Sequence, residues 1–235
     1  MYSQTKEQYF NSLRSRWSHG TLKTAALMTY VATAADDADA DRQLREAGQG
    51  SVALMEQHGV LTPDLTVYEI GCGCGRVATE LSEYLTGGQY VGVDLSPQYV
   101  DICNRRAPRG TFKVTNGYSF PLPDESADLV IEFSIFCHMP LQQVWKWLLD
   151  TRRVLKPTGQ TYLQFHNFAS QIQWDGFVKQ ADSWSFLDIG HPRATSEAII
   201  CQLFSRAGLM IERMCEVDID ETGEPNSWFV IAHKI

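Results

Sequence analysis

Val67-Tyr68-Glu69-Ile70-Gly71-Cys72-Gly73-Cys74-Gly75-Arg76-Val77-Ala78-Thr79-Glu80-Leu81 opens as an apolar run and breaks into three glycines at alternate positions. Apolar residues then resume at Val77, Ala78 and Leu81 with helical spacing. The pattern predicts a buried strand, a tight turn and a helix start. Glycines at such a turn open backbone angles closed to other residues and remove side chains that would keep a ligand from the main chain. The amides and dipole at the start of the helix near Arg76 would face whatever lies there.

Outward from this stretch the chain alternates. Residues 89–97 read as a short strand ending on Asp94, followed by Ser96 and Pro97, a cap and a first-turn residue for the next helix. Residues 111–115 and 127–133 read as the third and fourth strands, and residues 160–166 as the fifth. An amphipathic helix over 141–155 carries Val144, Trp145, Leu148 and Leu149. A helix ending at Gly208 leads into two final strands, 209–217 and 228–234, joined by a polar turn. Five alternations closed by a hairpin predict an α/β fold with a doubly wound sheet. An acidic cluster, Asp36 to Asp41, reads as a solvated helix start.

The spacing of the glycines separates two ligands. The dinucleotide fingerprint G-x-G-x-x-G would need a third glycine where Arg76 stands. The pattern found is acidic-x-G-x-G-x-G, with Glu69 before the loop, and it resembles motif I of the class I S-adenosylmethionine (SAM)-dependent methyltransferases. In that family the loop passes under the amino acid end of SAM, which implies donor roles for Glu69, Gly71, Cys72, Gly73 and Gly75. Asp94 stands 19 positions beyond Gly75, at the end of the second strand, where a carboxylate can accept both ribose hydroxyls. Leu95 is carried with it. The turn Phe120-Pro121-Leu122-Pro123-Asp124 matches a proline-containing turn of the family, and counting back places Asn116 and Gly117 at the adenine. Asparagine departs from the usual aspartate but still offers a carbonyl acceptor. Phe133, at the end of the fourth strand, is assigned beside the donor. Lys156-Pro157-Thr158-Gly159 resembles the family's turn into the fifth strand. The resemblance covers residues 50–235 and implies seven strands in the order 3-2-1-4-5-7-6 with strand 7 antiparallel.

That resemblance leaves the acceptor unread, because the sulfonium is already a strong methyl donor and rate comes largely from positioning. Residues 167–194 form the least regular stretch and hold Trp174, Phe177, Trp184 and Phe186, aromatics expected to wall an acceptor. The N-terminal residues 1–45 are expected to be a helical extension whose Tyr9 and Trp17 close the other side. Three histidines are candidate bases: His191 within the irregular stretch, His166 at the end of the fifth strand, and His138 after the fourth. The expectation is one domain over residues 1–235, with 1–45 as lid and 167–194 as an acceptor-side insertion.

Composition bounds the rest. At 235 residues, 44% apolar and 20% charged, the chain reads as an ordinary globular protein. A net charge of −8 argues against a nucleic-acid partner. No run of about 18 apolar residues predicts a membrane span, and the polar N-terminus lacks a signal peptide's apolar core, so a cytoplasmic location is expected. The six cysteines form no C-x-x-C pair, and Cys72 and Cys74 are too close in sequence to chelate a tetrahedral metal together. No metal is expected. The function expected is methyl transfer from SAM to the oxygen or nitrogen of a small molecule. The alternatives are a nicotinamide oxidoreductase on the same type of sheet and a catalytically inactive SAM-binding protein.

Overall fold

A computed structural model describes residues 6–16, 22–23, 34–182 and 193–235, with the side chains of a few helical residues, Tyr9 among them, left aside. Seven strands form one sheet in the order β3-β2-β1-β4-β5-β7-β6. The expected order and the antiparallel seventh strand are both found. The chain divides into two compact units, residues 1–117 and 118–235.

In the first unit, α1 (Lys6–Arg16) precedes α2 (Asp37–Gln57). The acidic cluster starts α2 as expected: Asp36 is the N-cap, and its side chain accepts from the Asp39 amide. Strand β1 (Thr66–Ile70) pairs in parallel with β2 (Gln89–Asp94), and β2 with β3 (Thr111–Val114). Val67, Ile70 and Val93 are buried, as a parallel sheet covered on both faces requires. Between them run α3 (Arg76–Tyr84) and α4 (Pro97–Arg106). The Ser96 hydroxyl caps α4 by accepting from Tyr99, and Pro97 fills its first turn.

In the second unit, β4 (Ala127–Glu132) pairs in parallel with β5 (Leu155–His166). Strand β7 (Pro225–Lys234) runs antiparallel to β5 and to β6 (Leu209–Ile219). Helix α5 (Leu141–Val154) buries Trp147, whose ring meets Phe120 edge-on at 5.1 Å. That contact seats the proline turn. Arg153 of α5 donates to the carbonyls of Phe120 (3.0 Å) and Leu122 (2.9 Å), while the Asp150 carboxylate accepts from the Phe120 amide at 2.6 Å. Tyr162 and Phe229 stack at 4.2 Å across β5 and β7.

Two local expectations are corrected. The fifth strand begins at Leu155 rather than after the Lys156–Gly159 turn. Leu155 pairs with Ala127, and the register then shifts before Leu129, so the turn residues form an irregularity inside the strand. The stretch after β5 is also more regular than its composition suggests. Residues Gln171–Asp182 form a helix, α6, with Trp174, Phe177 and Val178 on one side at spacings of three and four. Helix α7 (Glu197–Ala207) ends as expected at a left-handed Gly208.

Candidate active site

The site is built first from backbone. Strand β1 ends at Ile70, and the chain turns through Gly71, Gly73 and Gly75 with φ values of 71°, 53° and 85°. All three lie in the left-handed region, so the alternate-glycine spacing follows directly from the turn. The amides of Gly71 and Cys72 both donate to the Val93 carbonyl, at 2.8 and 3.0 Å, which hooks the loop over β2. Its carbonyls are tied down from α4. The Cys103 thiol lies 3.2 Å from the Gly73 oxygen, and Arg106 Nη1 donates to the Cys74 oxygen at 2.6 Å. Asp41 of α2 in turn holds Arg106 Nε at 2.9 Å. Helix α3 starts from Gly75 with no side-chain cap.

Two acids flank this loop, both buried. Asp94 accepts the Gly73 amide on Oδ2 at 2.9 Å and the Ser96 amide on Oδ1 at 2.8 Å. It therefore fixes the loop and the start of α4. The Leu95 amide donates to it as well, so of the about four lone-pair sites of the carboxylate roughly one is left for a further donor such as a hydroxyl. Burial pushes its pKa up to about 6, against the pull of the amides. Glu69 lies within β1, and its carboxylate accepts a short hydrogen bond from the Tyr90 hydroxyl. Burial pushes it up to about 7, with the Tyr90 bond and the Arg76 charge pulling the other way. The Cys72 thiol is pushed well above its ordinary value by the neighbouring Cys103 thiol, 3.9 Å away, and by burial. It stays protonated and inert.

The remaining donor candidates sit nearby in sequence. Leu95 is half-buried beside Asp94, and Asn116 is exposed after β3. Gly117 is buried at φ 91°, and a Cβ there would stand 2.2 Å from the ring of Phe10 on α1. The N-terminal extension thus reaches Gly117 through Phe10, which is itself buried. The residues of the same extension expected at the site were Tyr9 and Trp17. The side chain of Tyr9 and all of Trp17 lie outside the described residues, as do Trp184, Phe186 and His191.

In the second unit, Phe133 packs its ring against Tyr162 (5.8 Å) and Phe229 (5.0 Å). Beside it is an acid the sequence reading passed over. Glu132 is fully buried and accepts the amides of Ile135 and Phe136 on one oxygen and the Gln164 amide on the other. Gln164 passes this on, its side-chain oxygen accepting from the amide (3.0 Å) and hydroxyl (3.1 Å) of Ser134. Ser134 takes a positive φ of 61°. The only prior signal was an acid closing an apolar strand. His138 is half-buried at the end of a 3-10 turn, Phe136–His138. His166, at the end of β5, is held below its ordinary pKa by burial, which a hydrogen bond with Gln173 of α6 partly offsets. Its Nδ1 is buried and finds no hydrogen-bond partner among the described residues. On α6 and just before it, Phe168, Trp174 and Phe177 pack mutually at 5.3–5.5 Å, yet each remains over a third exposed. Among the described residues no three Cys, His, Asp or Glu side chains gather as a metal site. No helix there is long and apolar enough to cross a membrane.

Comparison with known proteins agrees with this geometry. Residues 67–159 match a family model described as a methyltransferase domain. Over 97 residues the chain is 33% identical to demethylmenaquinone methyltransferase from Tropheryma whipplei, covering 40% of this chain and 38% of that one. It is 31% identical over 98 residues to phthiotriol/phenolphthiotriol dimycocerosates methyltransferase from Mycobacterium leprae, covering 40% and 34%. The chain thus spans less than two-fifths of the length of these relatives. Among solved structures, magnesium protoporphyrin IX methyltransferase from Synechocystis with bound SAH superposes with a TM-score of 0.67 at 17% identity, covering 96% of this chain and 99% of that one. A SAM-dependent methyltransferase from Methanosarcina mazei gives 0.61 at 20% identity, covering 77% and 97%.

Proposed function

We infer that this chain, which carries a methyltransferase domain of class I fold, transfers a methyl group from SAM to the oxygen or nitrogen of an apolar small molecule. The observation that carries the donor half is the loop. Three left-handed glycines lie between two buried acids, Glu69 and Asp94. That set suits a ligand with a cationic amino acid end and a ribose, and it lacks the third glycine of a pyrophosphate cradle. Bound there, SAM supplies an activated methyl on a sulfonium. Glu69 would face the ammonium, Asp94 the ribose hydroxyls, and Asn116 and Gly117 the adenine.

The chain's own part in the reaction is to position the acceptor, keep water out and take one proton. Phe168, Trp174 and Phe177 offer a rigid aromatic face at low entropic cost for a flat or apolar acceptor. Two of the relatives are named for apolar acceptors, a demethylmenaquinone and a phthiotriol, which supports this choice. Among the described residues we take His166 as the candidate base, on its protonation state. Burial favours its neutral form, and its Nδ1 has no other claim on it.

The test pairs calorimetry with labelled transfer. The chain should bind SAM and not NADH, and should label long-chain quinols or phenols in preference to polar metabolites. Binding of NADH with no SAM binding would replace this reading with an oxidoreductase. SAM binding without transfer to any acceptor would leave a donor-binding protein.

A further inference from the structure

We propose that Tyr90 is a positioning residue for the donor: its hydroxyl, laid across Gly92, holds the Glu69 carboxylate as the anionic partner of the SAM ammonium. The proposal rests on the reading of Glu69 as a donor contact. Its own support is geometric. Tyr90 and Gly92 are two apart on β2 and so point to one face. The register sets Glu69 of β1 opposite Gly92. A Cβ on residue 92 would stand 3.0 Å from the Tyr90 hydroxyl oxygen and 2.8 Å from the Cys72 Cβ. A glycine at the centre of a buried strand costs stability. Here its missing side chain is the space through which the phenol reaches the acid. Behind, the Tyr90 ring is held at 5.7 Å from Phe112 of β3, and Gly110 leaves room for both rings. The hydrogen bond joins two buried side chains.

The groups around the pair are few. Glu69 is faced by Tyr90 of β2, Arg76 of α3 and Asp94 at the end of β2. Tyr90 is faced by Glu69, by Cys72 of the loop and by Cys103 of α4. Among the described residues that face the pair only Arg76 is cationic, and its Nη1 also donates to Ser51 at 3.1 Å. Tyr90 itself stays a neutral donor, since burial and the Glu69 charge push its pKa well up. Glu69, pushed up to about 7, is therefore only partly ionised near neutrality. The phenol decides how much of it is ready for a cation.

Donor affinity should then follow the ionisation of Glu69. Glu69's titration should contribute about a tenfold weakening of the wild-type Kd for SAM from pH 8 to pH 6, the ratio for one acid titrating near 7. Tyr90→Phe keeps the ring and removes the donor, moving that titration up by about one pH unit for a charge-assisted bond. The ratio of variant to wild-type Kd should fall from about ninefold at pH 6 to about twofold at pH 8. The donor's own amine titrates identically in both and cancels from the ratio. A packing role alone would give a ratio independent of pH. A flat ratio, or a ratio of one throughout, overturns the proposal. Should Tyr90→Phe not fold, Glu69→Gln serves: it should remove Glu69's tenfold share of the change between pH 6 and 8 and leave only the slopes of Asp94 and of the donor's amine; persistence of the full wild-type slope there also overturns it. Failure of the wild type to bind SAM at every pH would instead overturn the donor reading.

Discussion

Glu132→Gln changes one atom of a side chain that is fully buried at the end of β4. The carboxylate serves three backbone amides: Ile135 and Phe136 (3.0 Å) on Oε1, and Gln164 (3.0 Å) on Oε2. An amide side chain has one oxygen, so its better orientation keeps the two amides of the turn and turns its NH2 toward the Gln164 N–H. Two donors then face each other in a buried site. Leaving a buried donor unpaired costs about 1–3 kcal/mol, and losing the charge on the two remaining bonds adds to this, so the loss should be roughly 2–4 kcal/mol. For a chain of this size that lowers Tm by about 5–15 °C. Denaturant unfolding of the purified variant against wild type reads it. The turn that carries Ser134 to His138 should loosen, and methyl transfer should fall further than SAM affinity, since every bond named is made within residues 132–164. A loss below about 0.5 kcal/mol would refute the reasoning, because it would mean the amides find other partners at no cost.

Three further expectations follow from the geometry. Gly117→Ala places a Cβ at φ 91° and 2.2 Å from the Phe10 ring; it should cost about 1–3 kcal/mol of strain, and less in a Phe10→Ala background, so equal costs in the two backgrounds would break the link between α1 and this turn. Glu69 and Asp94 bind protons in the folded protein that the unfolded chain has already released, their pKa values rising from 4.5 to about 7 and from 3.8 to about 6. Each therefore lowers stability as pH rises through those windows, while His166, held neutral by burial, acts in the opposite sense near 6.5. The contrast is cleanest as a difference: between pH 5 and 7 the wild type should lose stability relative to Glu69→Gln, and parallel unfolding curves would contradict the raised pKa. Trp174→Ala and Phe177→Ala remove half-exposed rings; they should raise the KM for an apolar acceptor severalfold while leaving SAM affinity within about twofold, and loss of donor binding instead would make the cluster structural.

How far the sequence could be read depended on what encodes each feature. The donor loop is a backbone object. Its φ values demand glycines at 71, 73 and 75, the acid that bonds the Gly73 amide ends a strand, and Ser96 with Pro97 starts a helix. Each demand leaves a residue type at a fixed offset, so loop, Asp94 and cap were all legible; the alternation gave the doubly wound sheet, and the strand order came from the family resemblance. Features made by side chains meeting at a distance were not. The apolar face of α1 was visible, but neighbours on a helix point about 100° apart, and only the fold shows that Phe10 rather than Tyr9 meets Gly117. The work of Glu132 depends on Gln164, 32 residues away, and nothing local distinguishes it from an acid closing a strand. Helix α6 stayed hidden because its aromatic side is half exposed, so the apolar stripe does not read as one turned to a core. The same division bears on how such an enzyme changes substrate. Replacing a loop glycine strains the main chain and removes the donor for every acceptor at once. On the proposed reading, replacing Trp174 or Phe177 alters one acceptor wall, and neither residue takes part in the bonds of Glu69, Gly73 and Asp94. On that reading acceptor choice can drift while the donor site holds, which is why the residues proposed for the donor leave a pattern in this sequence and those proposed for the acceptor do not.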